Sequence, residues 1–334
     1  MPLPETLNHL LILMPSWVGD VVMSSCVWKM ARRKYPNAKI TGVIRPHLAP
    51  LLDGITEFDE VLPLDMKSSV FTAAKQLRSV EGDAIVLLPN SFRSALIARL
   101  AKVPVRGGYK RDRRSWLLTD GVIVLQQHKP TPTSEYYLHL ANELFGMNEK
   151  PTLPTMGTCS TQIDVLNEFS KPIVLFVAGA SKSEKRWAPD KFAKVADALS
   201  ELGATCCAIG SPDEHVLVQK IVDAAQAPVH DLTQEEITLG TLQAVVQQAS
   251  VMITNDTGPR HLAVASGTPT ITVYGPTDYR WTKYDCSHDI PVLSDPFLPE
   301  ELIANSNPHR CDINNIPASD VIAIAKQFIY STSS

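Results

Sequence analysis

The strings MPSWVGDVV (residues 14–22) and ITNDTGPRHLAVASGTPTITVYGPTD (253–278) decide the fold of this chain. Each starts at the end of an apolar, β-rich run and opens a helical period. Open parallel α/β sheets place their ligands at such junctions, outside the carboxyl ends of the strands. One junction lies in each half of the sequence, which predicts two facing domains with a cleft between them.

The pattern extends outward from both strings. HLLILMPS (9–16) leads into a helical period over Asp20–Lys34, and KITGVIR (39–45) reads as the next strand. DAIVLLPN (83–90) precedes the helical SALIARLA (94–101), and GVIVLQ (121–126) precedes a helix near Tyr136–Phe145. Pro151, Pro154 and a run of Thr, Ser and Gly break the alternation over 149–162, as a domain junction does. A second series follows. PIVLFVAG (172–179) is almost continuously apolar, as buried parallel strands are. A helix near Asp190–Leu202 carries Phe192, Val195, Ala196, Leu199 and Leu202 on one stripe. ATCCAIG (204–210) is a strand with a helix after it, and TLQAVVQQA (241–249) is helical. VMITNDTG (251–258) and PTITVYGP (269–276) are strands around a short helix, residues 279–316 read as irregular, and a last helix runs near Ala318–Tyr330. Alternating strands and helices call for parallel sheets covered on both faces. The expected fold is α/β, with two Rossmann-like, doubly wound domains over 1–160 and 161–316 and a terminal helix in 317–334.

Composition sets the outer bounds. The 334 residues are 44% hydrophobic and 20% charged, a globular balance with length for about two domains. A net charge of −4 argues against a nucleic-acid partner. No apolar run approaches the roughly 18–20 residues of a membrane span. LLILM (10–14) is too short for a signal-peptide core and lacks a positive start. The expected location is therefore cytoplasmic, with any membrane contact peripheral. The cysteines at 26, 159, 206, 207, 286 and 311 form no CxxC pair, so neither a zinc site nor a disulfide framework is expected. Cys206 and Cys207 adjoin on one strand and face opposite sides of it. Cys286 and Cys311 both lie in the loop-rich tail.

Several strand ends carry chemistry. Gly19 lets the chain turn sharply, and Asp20 then stands at a helix start, facing the expected cleft. A carboxylate there can take a proton from an acceptor hydroxyl. Asp is also a favoured N-cap, and spacing alone makes capping the stronger reading. The helix field would hold the carboxyl ionised and weaken it as a base. No G-x-G-x-x-G follows the first strand and no G-x-x-x-x-G-K-[ST] occurs, which speaks against a dinucleotide-binding oxidoreductase and excludes a P-loop.

In the second series, Gly179-Ala180-Ser181 ends a strand ahead of Lys182, Lys185 and Arg186. Small residues let backbone N–H groups approach a phosphate and a lysine adds a point charge; a solvated basic turn has the same composition. Asn255-Asp256-Thr257-Gly258 ends another strand, where Thr257, Gly258 and the amides after them could hold a diphosphate. Asp256 would repel phosphate, so capping or orienting a neighbour suits it better. His261 is a packing residue or faces the phosphate. Glu214, after Gly210-Ser211-Pro212-Asp213, accepts from ribose hydroxyls or merely starts a helix. In the first half, Arg106, Lys110, Arg111, Arg113 and Arg114 lie within nine residues that hold one acid, Asp112. Such a run is a solvated face or receives a phosphorylated or carboxylated acceptor, with Arg93 of LPNSFRSAL (88–96) joining from another strand end.

With these motifs in order, the chain resembles the ADP-heptose:lipopolysaccharide heptosyltransferases of glycosyltransferase family nine, nearest the heptosyltransferase II type. The resemblance rests on MPSWVGDVVMS, LPNSFRSAL, GGYKRDRRSWLLTD (107–120), GASKSEKRWAP (179–189), the Gly210-Ser211 turn and TNDTGPRHLA with VYGPTD. It implies a GT-B fold: an N-terminal acceptor-binding domain, a C-terminal nucleotide-sugar domain, and a final helix packing back toward the first. It implies transfer of L-glycero-D-manno-heptose from an ADP-activated donor, ADP-heptose, to the lipid-linked inner core of lipopolysaccharide, with inversion and without a metal. By position, Asp20 matches the general base and Lys185 the lysine that contacts donor phosphate. Asp256, Thr257, Gly258 and His261 match the donor segment, with Ser181 in the neighbouring turn and Glu214 near a ribose-linked acid. Arg93, Lys110, Arg111, Arg113 and Arg114 fall in a region suited to the acidic acceptor. Pro259-Arg260 stands where the family often has an apolar or small residue, and the tail from Tyr279 to Pro317 has no close match. The alternatives are a GT-B enzyme using another nucleotide sugar and a nucleotide-sugar-binding protein without catalysis.

Overall fold

The computed structural model describes residues 2–124, 130–157, 165–294 and 311–331. These fall into two compact units: 2–124 with 131–157, and residue 130 with 165–294 and 311–331. The expected boundary at 160/161 and Cys159 lie outside the described residues.

The first unit is one six-stranded sheet. Its strands are β1 (His9–Leu13), β2 (Lys39–Ile44), β3 (Glu60–Pro63), β4 (Ala84–Leu87), β5 (Val105–Tyr109) and β6 (Asp120–Val122). They lie in the order β3-β2-β1-β4-β5-β6, and every pairing is parallel. All five residues of β1 are buried, as a central strand covered on both faces requires. The covering helices are α1 (Val18–Met23), α2 (Ser25–Lys34), α3 (Val70–Arg78), α4 (Phe92–Leu100) and α5 (Thr133–Phe145). The helix expected over Asp20–Lys34 is two helices. Ser24 separates them, and its hydroxyl donates to the Val21 carbonyl at 2.8 Å, a local bond that competes with the helical ladder.

The second unit repeats the plan. Its strands are β7 (Ile173–Val177), β8 (Thr205–Ala208), β9 (Val229–Asp231), β10 (Val251–Asn255), β11 (Thr270–Tyr274) and β12 (Asp289–Leu293). The order β12-β11-β10-β7-β8-β9 is the same winding read from the other edge, again parallel throughout. Its helices are α6 (Pro189–Ser200), α7 (His215–Ala224), α8 (Leu242–Gln248), α9 (Gly258–Ala265) and α10 (Ala318–Ser331). Cys206 and Cys207 are both fully buried, one on each face of β8. The described cysteines, 26, 206, 207, 286 and 311, are free thiols.

One expectation for the tail is corrected. Residues 279–316 contain β12, a parallel edge strand; Pro291 sits in it because an edge position can spare a donor. Helix α10 is part of the second unit. It packs on α6, and Val321, Ala325 and Ile329 enter the core with Phe192, Val195 and Leu199. The Trp187 indole fixes the approach by donating to the Ile316 carbonyl at 3.1 Å.

In each sheet the chain leaves the two central strands in opposite directions, β1 and β4 in one, β7 and β10 in the other. That reversal opens a crevice at their carboxyl ends, where doubly wound sheets bind ligands. Asp20 follows β1, Gly179 follows β7 and Asp256 follows β10.

Candidate active site

The β1 junction presents Asp20 without a structural task. The N-cap of α1 is Trp17, with no side-chain bond, and Asp20 is the third helical residue. The capping role that spacing favoured is therefore not the one it plays. Burial pushes its carboxyl up from the ordinary 3.8 to about 6, and no neighbouring cation or donor among the described residues offsets this. The expected weakening by the helix field is overturned, because a six-residue helix cannot outweigh the lost hydration. Tyr137 of α5 lies near enough to feel the charge: its hydroxyl is pushed well above its ordinary range by burial first and by Asp20 next. The result is a proton acceptor poised close to neutrality.

The second unit builds a cradle from three strand ends. After β7, Gly179 leaves room for the Glu214 carboxylate, since a Cβ there would stand 1.7 Å from Glu214 Oε1. Ser211 donates its backbone N–H (2.8 Å) and hydroxyl (3.1 Å) to Glu214 Oε2, closing a capping box. Glu214 is thus a helix-start acid whose other oxygen remains at the wall of a cavity. That cavity, about 290 Å³, is lined by Ile209, Ile237, Leu239 and Leu242 on the apolar side, with Glu214 and Thr257 as polar edges. Its size and mostly apolar lining suit one flat heterocycle with a sugar attached. Thr257 caps α9 from an extended conformation, without a side-chain bond to the helix, and Pro259 occupies the first turn. The free N–H groups at that helix start and the partial positive charge of its dipole face where a diphosphate would continue from the cavity.

Beside this turn lies a charged cluster. Asp256 is not the cap. Its Oδ2 accepts from Lys185 Nζ at 3.1 Å, its Oδ1 accepts from the Thr282 hydroxyl at 3.3 Å, and Arg260 Nη1 stands 3.6 Å from Oδ1. Burial alone would raise the Asp256 carboxyl, but Lys185 and Arg260 reverse this and hold it below the usual carboxylate range. Arg260 is buried. It reaches Asp289 through Nη2 (2.6 Å) and Nε (3.3 Å), and its guanidinium lies 5.3 Å from the ring centres of both Tyr274 and Tyr284. Asn255 joins β10 to the β7 turn, donating to the Ala178 carbonyl (2.7 Å) and accepting from the Trp187 backbone (3.1 Å).

Three of the expected site residues already have partners within their own unit. His261 is buried, its Nδ1 bonds the Tyr284 hydroxyl at 2.6 Å, and burial with the Arg260 charge pushes its pKa down to about 3. It is neutral and brings no charge to a phosphate. Arg114 is wholly buried: Nε donates to the Tyr109 carbonyl (3.1 Å), and Nη1 to the Pro89 carbonyl and the Ser94 hydroxyl. It binds this loop together. Arg93 is turned onto the Met66 carbonyl (2.9 Å) and the Ser68 carbonyl. Arg106 is likewise spent on the carbonyls of Leu117, Val103 and Pro104. Lys110, Arg111 and Arg113 are exposed, as is Ser181 in the second unit.

The sequence reading missed Thr282, Tyr284 and Asp289. One signal was available: an arginine in the apolar helix GPRHLAVA must find a buried acid, and the acid it finds, Asp289, lay in the stretch read as irregular. Among the described residues, no three His, Cys, Asp or Glu side chains gather as a metal site, and no helix is long and apolar enough to cross a membrane.

Comparison with known proteins agrees with this architecture. Lipopolysaccharide heptosyltransferase 2 of Escherichia coli (strain K12) is 29% identical over 307 residues, covering 85% of this chain and 87% of that protein. The solved E. coli ADP-heptose lps heptosyltransferase II superposes with a TM-score of 0.81 at 24% identity, over 98% of this chain and all of the other. E. coli heptosyltransferase WaaC, solved with ADP-2-deoxy-2-fluoro heptose, gives a TM-score of 0.74 at 20% identity over 96% and 99% of the two chains. The fold is that of these GT-B transferases. Residues 70–295, about two thirds of the sequence, match the family described as Glycosyltransferase family 9 (heptosyltransferase), and this chain belongs to it.

Proposed function

We propose that this chain transfers L-glycero-D-manno-heptose from ADP-heptose to the inner core of lipopolysaccharide, inverting the anomeric centre. Family membership and the names of its relatives support the donor and acceptor classes. The observation that carries the chemistry is Asp20: a carboxyl at a sheet's ligand-binding end, free of any capping bond and raised to about 6.

The steps follow from the groups present. Adenosine occupies the cavity beside Glu214, whose free oxygen accepts from a ribose hydroxyl. The diphosphate lies over the start of α9, with Thr257, Gly258 and Lys185 as donors and Ser181 at the rim. Asp20 takes the proton of the attacking acceptor hydroxyl. That oxygen bonds to the anomeric carbon while the bond to the diphosphate oxygen breaks and its electron pair leaves with ADP. Lys185 and the α9 amides stabilise the departing charge, a task that needs no metal in this scheme. Exposed Lys110, Arg111 and Arg113 meet the anionic acceptor, which is presented at the cytoplasmic face of the inner membrane to a peripherally associated enzyme.

A transfer assay with ADP-heptose, UDP- and GDP-linked sugars and a heptose-deficient core acceptor tests this reading. Product is expected from the ADP-linked donor, with the anomer opposite to the donor's by NMR. Retention of configuration would exclude a single displacement. Preference for a UDP- or GDP-linked donor would overturn the donor assignment.

A further inference from the structure

We infer that Arg260 is a positioning residue that releases Lys185 from Asp256 when the donor diphosphate arrives. This rests on the reading of Lys185 as a phosphate ligand and goes beyond it, since Arg260 touches no substrate.

Lys185 is paired with Asp256 at 3.1 Å. To reach a phosphate, its ammonium must leave a carboxylate that is itself only 8% exposed. A buried carboxylate stripped of its cation is strongly disfavoured, and one adjoining a diphosphate more so. Asp256 on its own would therefore hold Lys185 back and repel the ligand. Arg260 supplies the remedy from beneath. Its Nη1 is buried, has no hydrogen-bond partner, and stands 3.6 Å from Asp256 Oδ1, outside bonding distance by less than an ångström. The rest of the guanidinium is held. Asp289 takes Nη2 and Nε, the Thr272 hydroxyl steadies Asp289 at 3.2 Å, and two tyrosine rings flank the plane. One N–H of a fixed fork is thus kept open and directed at the carboxylate that Lys185 must give up. As Lys185 moves to phosphate, Asp256 closes onto Nη1 and stays paired. A point charge on a lysine stem could not serve both acids at once, whereas the planar fork can.

Binding of ADP and of adenosine, measured by calorimetry, tests the hand-over. Arg260 and Asp289 are removed together, as R260M/D289N, so that no acid is stranded, with Arg260→Lys as a second variant that keeps the charge. Thermal melting confirms the fold of each. R260M/D289N is expected to lower ADP affinity about tenfold while adenosine affinity stays within about twofold. R260K, unable to bridge, should show the same selective loss. In an Asp256→Asn background the R260M/D289N effect on ADP should vanish, since there is no carboxylate left to hold the ammonium or to repel the diphosphate. Unchanged ADP affinity, an equal loss for adenosine, or a loss that persists undiminished without the Asp256 charge would each overturn the proposal. Should K185M alone leave ADP affinity untouched, the phosphate role of Lys185 is what fails, and the hand-over falls with it.

Discussion

Asp20 and Asp256 are both carboxylates at strand-to-helix junctions of doubly wound sheets, both largely withdrawn from water, and they are in opposite states. Asp20 is raised by burial to about 6, whereas Asp256 is held low by Lys185 and Arg260 despite its burial. Company, more than depth, separates them. A general base needs a carboxylate with no competing partner, and α1 provides it by assigning its cap position to Trp17. A donor cradle needs cations held in place, and Asp256 gathers them. The same residue type is therefore raised and unpartnered in one unit and held ionised among cations in the other.

The sharpest way to break the comparison is to remove the charge of Asp20 alone. Asp20→Asn is expected to cut turnover by roughly 10²–10⁴-fold with ADP affinity unchanged. In the unmodified enzyme, kcat/KM should climb about tenfold per pH unit until pH approaches 6, where the carboxyl ionises, and then level off. Near-normal turnover by the Asn variant, or a rate flat through that range, would remove Asp20 from the chemistry.

The same substitution should stabilise the fold. The folded-state value of Asp20 exceeds the ordinary 3.8, so its favourable contribution is full below pH 3.8 and is lost as pH rises through about 6. At pH 7 the ionised group costs up to about 3 kcal/mol. Asp20→Asn should accordingly outlast the unmodified protein in chemical denaturation at pH 7 and match it below pH 4. A variant less stable at pH 7 would mean that the carboxylate has a partner after all.

On the other side of the comparison, Lys185→Ala should weaken ADP by about tenfold or more and spare adenosine, because only a phosphate needs the ammonium. Equal losses would place Lys185 in nucleoside packing. The smallest effect is expected in the basic stretch. Arg111→Ala with Arg113→Ala should raise the acceptor KM a few-fold, as exposed charges do, and leave ADP binding alone. No change in acceptor KM would make that face merely solvated.

The legible parts of this molecule are local. HLLILMPS, PIVLFVAG and VMITNDTG announced central strands because a strand buried on both faces has no polar period to obscure it. The edge strands β3, β9 and β12 escaped notice: all are half-exposed, β3 and β9 are short, and β12 is interrupted by Pro291. Strand β5 was hidden inside the arginine run, where two of the five cations proved to be internal fasteners for carbonyl groups. Nothing in a charge run distinguishes a guanidinium that meets a ligand from one that satisfies the backbone, because the acceptors of Arg114 come from Pro89, Ser94 and Tyr109.

The sequence by itself determined the alternation of strands and helices, the repeat of one winding in two halves, and the junctions where function sits, since all three follow from hydrophobic period and turn chemistry along neighbouring residues. Only the tertiary structure decided which polar groups at those junctions are engaged. Whether Asp20 is bare, His261 neutral or Arg260 open on one N–H depends on groups tens of residues away, and burial turns the presence or absence of such a partner into a large change in proton affinity.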